Sequence, residues 1–256
     1  MFFVGLDLAV ARASAYAVLH STMECSFGWW DYQEDGVGII PSVVGDRSFV
    51  LAIDGPQGWA GSAGRRRRYC EESLNTPGKA PYERNPGFAR EYIVKSVGLF
   101  ARLTKQEGFH LLGLDGTSAH AATLTEVYPG SAWRVLANEP LPGKDTAAGL
   151  DSRRKLLEER GLTFPVGCAP NHDQLDAALA AWIAHELRRD ENSVRLVGEA
   201  PRIDDKTGCL REGYIAHPTP PSQAAPRPPF RVKSARLGFA AGVNPLKLKQ
   251  FADISY

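Results

Sequence analysis

Cysteine is scarce in this 256-residue sequence, and the four present, Cys25, Cys70, Cys168 and Cys209, lie far apart with no CxxC pair. That spacing argues against a zinc site and a disulfide framework, and makes a reducing compartment the expectation. Charge of one sign is also lacking. Thirty Lys and Arg offset 29 Asp and Glu, for a formal net charge of +1. No global field draws a polyanion, so any affinity for nucleic acid has to come from a local patch. No apolar run reaches the roughly 18–20 residues of a membrane span. The N-terminus is apolar but lacks a basic segment, and Asp7 interrupts the stretch a signal peptide would keep apolar. The expectation is a cytoplasmic protein with no membrane association.

What is there is ordinary globular material, with 43% hydrophobic and 23% charged residues. The length suits one large domain or one domain with an appendage. Residues 2–9, 14–20, 24–30 and 48–54 read as strands, the first two joined by a short hairpin link. A weak helical stretch falls at 36–44. Residues 60–86 form a long, basic, turn-rich segment, a kind usually functional or mobile. A helix is predicted at 87–106, strands at 110–114 and 122–128, and helices at 151–160 and 172–188. A late strand is expected over 212–218. Residues 218–229 are Pro-rich and extended, and the chain from Phe230 is basic and mixed. This order predicts an α/β fold, a mixed sheet flanked by helices with an antiparallel hairpin start. The expected division is a domain over 1–217 and a Pro-rich, basic extension over 218–256.

Five acids stand where apolar patterning should run out. Asp7 follows Phe2-Phe3-Val4-Gly5-Leu6, Asp54 follows Phe49-Val50-Leu51-Ala52-Ile53, and Glu126 interrupts a β-rich run. Asp173 and Asp176 open the apolar helix and share a face of it. A carboxylate at the end of a buried strand is costly unless its charge is offset. The plain alternatives are strand-end or turn residues bonded to their own backbone and, for Asp173, a surface acid opposing the helix dipole. If the acids converge, they repel unless a cation sits among them, and magnesium or manganese suits such oxygen ligands. Two such ions can activate water and stabilise the leaving oxygen in phosphodiester hydrolysis. Arg65-Arg66-Arg67-Arg68 is the phosphate-binding candidate, with a solvated basic loop as its alternative.

Several segments occur in a telling order: Gly5-Leu6-Asp7-Leu8-Ala9, Ala52-Ile53-Asp54-Gly55-Pro56-Gln57-Gly58, Arg68-Tyr69-Cys70-Glu71, Glu126-Val127-Tyr128-Pro129, His172-Asp173-Gln174-Leu175-Asp176-Ala177 and Glu212-Gly213-Tyr214-Ile215. Over residues 2–218 the chain resembles the domain-of-unknown-function family numbered 429, described as predicted nucleases of RNase H-like fold. The resemblance implies a five-stranded sheet of three antiparallel strands followed by helices alternating with two parallel strands. It implies Asp7 on the central first strand, Asp54 ending the fourth, Glu126 on the fifth, and Asp173 and Asp176 at the start of the last helix. That layout is similar to the metal-binding acids of Holliday-junction resolvases.

The leading expectation is therefore a metal-dependent nuclease using Mg2+ or Mn2+. Asp7, Asp54 and Asp176 would be metal ligands, Glu126 and Asp173 would support them, and Arg65 to Arg68 would hold a nucleic-acid backbone. An actin-like ATPase or phosphotransferase is the second reading, since Leu114-Asp115-Gly116-Thr117-Ser118 faintly resembles a phosphate loop. A non-catalytic binding protein of the same fold is the third.

Overall fold

A computed structural model of the chain describes residues 1–31, 48–77, 79–82, 91–106, 108–137 and 139–220. The expected helix at 36–44 and the extension beyond Pro220 lie outside these residues. The strands are β1 (Phe2–Asp7), β2 (Ser14–His20), β3 (Cys25–Trp30), β4 (Phe49–Asp54), β5 (Leu124–Val127), β6 (Val194–Ile203) and β7 (Leu210–Pro218). The helices are α1 (Tyr69–Leu74), α2 (Glu91–Gln106), α3 (Pro129–Ala137), α4 (Ala147–Glu158) and α5 (His172–Arg189).

One sheet runs in the order β3-β2-β1-β4-β5-β7-β6. β1, β2 and β3 are antiparallel neighbours, while β1, β4, β5 and β7 run parallel to one another. The sheet therefore has seven strands rather than the expected five. The addition is a hairpin: β6 pairs antiparallel with β7 and closes the edge. β6 was hard to read because it is an edge strand, VRLVGEAPRI, carrying charges, a Gly and a Pro and burying only Val194 and Pro201 fully. Edge strands use such residues to discourage further pairing.

Side-chain alternation divides the core into two layers. Phe3 of β1 and Val50 and Ala52 of β4 face α5, in a cluster with Leu175, Leu179 and Ile183. Val4 and Leu6 of β1 and Leu51 and Ile53 of β4 face α2, beside Leu99, Phe100 and Leu103. α5 lies very close to β1. A Cβ built on Gly5 would stand 1.9 Å from the Ala177 carbonyl oxygen and 2.6 Å from the Ala181 nitrogen. Glycine at this position lets the helix approach the strand.

Three other expectations change. Residues 110–114 are not a strand: Leu111 forms only an isolated bridge to Leu124, and a 3-10 turn follows at Leu114–Gly116, with Gly113 and Asp115 at positive φ. The long segment 60–86 contains α1, a helix too short for periodicity to reveal. The helix expected at 151–160 begins earlier, at Ala147, with the Thr146 hydroxyl accepting from the Gly149 N–H at its N-terminus.

Candidate functional site

β1 and β4 run parallel and in register, and both end on an acid: Asp7 lies directly across from Asp54. Neighbouring strands are about 4.8 Å apart. Both acids share the parity of Phe3, Val50 and Ala52, so their side chains leave the sheet on the α5 side. α5 brings the other two acids to the same place. Its start is fixed by a reciprocal capping box, in which Asn171 Oδ1 accepts from the Gln174 N–H (3.0 Å) and Gln174 Oε1 accepts from the Asn171 N–H (3.1 Å). This aims Asp173 and Asp176 at the end of β1.

Asp54, Asp173 and Asp176 all interact electrostatically with Asp7. Burial, and then the charges of Asp176 and Asp173, push the Asp7 carboxyl up to about 8. Burial, then Asp7 and Asp176, holds Asp54 well above the usual carboxylate range. Burial also raises Asp176, against the indole N–H of Trp133, which donates to its Oδ1. The Asp7 carboxyl, in its protonated form, donates to Asp173. Asp173 is itself buried at 4% exposure, not a surface acid. Arg12, from the β1–β2 turn, pairs with it at 2.7 Å; His172 Nδ1 lies 2.9 Å away, and the other ring nitrogen is 3.0 Å from Asp145.

The backbone around Asp54 is tied to α2. Tyr92 Oη donates to the Asp54 carbonyl (2.8 Å) and Ser96 Oγ to the Pro56 carbonyl (3.0 Å). A Cβ on Gly55 would come within 2.4 Å of Ser96 Oγ, so a side chain there would displace the hydroxyl that holds Pro56.

Glu126 does not join the four. It lies across from Ile53, one position short of Asp54, and so faces the α2 side with Leu124. There it accepts both terminal nitrogens of Arg68 at 2.7 Å and the Gln57 N–H at 2.9 Å. Burial raises its pKa, while Arg68 and the Gln57 N–H oppose that shift.

The arginine run is not one basic surface. Arg68 is 1% exposed and bridges Glu126 and Glu71, the latter through Nε at 2.8 Å. Arg65 lies 3.4 Å over the Tyr69 ring and pairs with Glu72 at 3.1 Å, and Arg67 stands 3.8 Å from the same carboxylate. Glu212, of the Glu-Gly motif, is fully buried at positive φ and accepts from the Gly61 N–H (2.7 Å) and the Tyr69 N–H (3.1 Å). It anchors the 57–62 loop and the start of α1.

A cleft of about 510 Å3 opens beside Asp54 and Asp176. Its other walls carry Trp133, Arg134, Lys144 and Arg153, none of which the sequence singled out. They sit in or next to α3 and α4, whose contact with the acids depends on tertiary packing. Lys144 lowers the pKa of Asp7, Asp54 and Asp176, so its charge reaches all three. A smaller cavity of about 200 Å3 lies on the other side of Asp54, lined by Arg68, Tyr92, Glu126 and Tyr128. Among the described residues, no three His, Cys, Asp or Glu side chains are grouped as a ready-made metal-ligand set. Nor is any helix long and apolar enough to cross a membrane.

The fold and site define a mixed α/β protein with interacting, half-buried acids at the carboxyl ends of its central parallel strands. Residues 5–202 match the family described as "Protein of unknown function (DUF429)", and the chain belongs to that family. The match takes in all five acids read from the sequence. No curated protein and no solved structure matches the chain.

Proposed function

We propose that this protein is a metal-dependent nuclease of RNase H-like fold that hydrolyses phosphodiester bonds of nucleic acid. The observation that carries this reading is the register of Asp7 with Asp54, with Asp176 brought to them by α5. The strand order β3-β2-β1-β4-β5, antiparallel and then parallel, supports an RNase H-like core, with β7 and β6 added beyond β5.

The donor chemistry suits Mg2+ or Mn2+. Asp7, Asp54 and Asp176 offer hard carboxylate oxygens, and burial raises the proton affinity of all three despite the Lys144 charge nearby. A divalent cation and the Asp7 proton would compete for the same place. The three carboxylates would hold the cation, which when bound would supply activation of water and stabilisation of the leaving oxygen. In the hydrolysis, water oxygen bonds to phosphorus, the bond from phosphorus to the leaving sugar oxygen breaks, and that oxygen gains a proton. The chain's own contribution is positioning. Trp133 orients Asp176, Tyr92 and Ser96 fix the turn after Asp54, and Asp173, paired with Arg12, bonds Asp7.

Glu126 has a different part in this reading. Paired with Arg68, it braces the turn Gly55–Gly58 through the Gln57 N–H. The phosphate-loop resemblance at Leu114–Ser118 gains no support, because that turn lies beside the start of β5, at the opposite end of the strands from Asp7 and Asp54.

The test is cleavage of labelled DNA and RNA oligonucleotides by purified protein with Mg2+ or Mn2+. Cleavage that disappears in Asp7→Asn, with the variant's circular dichroism and melting unchanged or improved, is the expected result. Equal activity in the variant contradicts the reading.

A further inference from the structure

The cleft beside Asp54 and Asp176 holds charges of both signs that do not meet. Arg134 projects from α3, Lys144 from the α3–α4 connection and Arg153 from α4, facing acids from β4 and α5. Among the described residues, none of the three cations forms a salt bridge with Asp54 or Asp176. Arg153 is used within its own wall, donating to the Pro142 and Gly149 carbonyls (3.1 and 3.0 Å) and so shaping the loop that carries Lys144. Arg134 bonds Tyr128 at the junction with the smaller cavity. Lys144 is exposed and has no hydrogen bond or salt bridge to another described residue.

Opposite charges kept apart across an open cleft leave room for a ligand with both characters. A phosphodiester bound through a cation is such a ligand, with oxygens facing the acid side and others free to face the amines. Lysine suits this as a mobile point charge on an exposed stem.

We propose that Lys144, with Arg134 beside it, binds the substrate phosphate, so that the backbone grip lies on the α3–α4 wall of the cleft and not on the 65–68 arginine run. This rests on the nuclease reading for its substrate, but it is tested by binding and not by cleavage.

The experiment measures anisotropy of a short fluorescein-labelled single-stranded oligonucleotide in EDTA, over a series of salt concentrations. Lys144→Ala is expected to weaken binding severalfold and to lower the salt slope by about 0.7, the value of one phosphate contact on a single strand. Lys144→Arg is expected to restore most of both, and Lys144→Glu to weaken binding further. Unchanged affinity and slope in Lys144→Ala overturn the inference, as does a loss that follows Arg66→Ala or Arg67→Ala instead. Either result leaves the nuclease reading standing if Mg2+-dependent cleavage persists. Loss of the nuclease reading alone would leave the Lys144 effect on EDTA binding intact.

Discussion

Glu126 lies one register position short of Asp54, across from Ile53, and that single step sends the two carboxylates to opposite faces of the sheet. Alternation is strict along a strand, so acids that look equivalent in sequence acquire different work. Asp54 meets Asp7 and Asp176, whereas Glu126 meets a buried arginine.

Substitutions should separate these roles. Glu126→Ala leaves the two terminal nitrogens of buried Arg68 without their carboxylate, with Glu71 still on Nε, and breaking one partner of a buried pair costs about 3–5 kcal/mol. The urea midpoint should fall accordingly. Asp7→Asn removes a carboxyl whose ionisation is opposed by burial and by its neighbours, so its midpoint at pH 8 should be at least that of wild type.

Gly5→Ala should be severe for a methyl group. The new Cβ would overlap the Ala177 carbonyl of α5, which is backbone and cannot turn aside. Overpacking of a tight core typically costs about 1–3 kcal/mol, and this contact belongs at the upper end. Denaturant unfolding measures the loss. Displacement of α5 from β1 should also weaken divalent-ion binding by Asp7 and Asp176.

Stability should depend on pH in two opposed ways. Asp7, raised to about 8, keeps a proton in the fold that the unfolded chain releases near 4. Its contribution is complete below about 4 and is lost as pH rises towards 8. Asp54 and Asp176, also raised, act in the same direction. His217, buried against Ser131 and lowered to about 4, acts the other way. The unfolded chain takes up its proton first, so its contribution is complete above about 6.5 and is lost as pH falls to 4. The effects offset between about 4 and 6.5, leaving the acids exposed to view above that. Melting temperature should fall from pH 6.5 to 8 without divalent ions, with a shallower fall in Asp7→Asn. An unchanged slope in that variant would remove Asp7 as the source.

Trp133→Phe keeps most of the buried ring but removes the indole N–H that donates to Asp176. Partners that orient a metal ligand are worth about 10–100-fold in metal affinity or activity when lost. Mn2+ affinity should drop within that range while the unfolding midpoint changes little. A variant with wild-type affinity would show that Asp176 needs no such support.

Much of the architecture was legible because burial leaves a periodic trace. β1, β2, β3 and β4 are apolar runs ended by polar or turn residues, and α5 carries both a capping box and an apolar face. The acids at Asp7, Asp54 and Asp176 were legible for the same reason, since each breaks a buried pattern. The rest depends on contacts no local pattern encodes. The face Glu126 takes was readable in principle, since it shares the parity of Leu124, but its partner Arg68 sits 58 residues away inside a run of four similar arginines. α1 is six residues long, and its start is held by Glu212 from β7. Lys144 is an ordinary exposed lysine until the α3–α4 connection is folded beside β4.

The most direct measurement is calorimetric titration of Mn2+ into wild type, Asp54→Asn and Glu126→Gln at pH 7, in two buffers of different ionisation enthalpy. The account predicts that wild type binds Mn2+ with release of protons, that Asp54→Asn loses the binding, and that folded Glu126→Gln retains it. Binding to Asp54→Asn that matches wild type in affinity and proton release would contradict it.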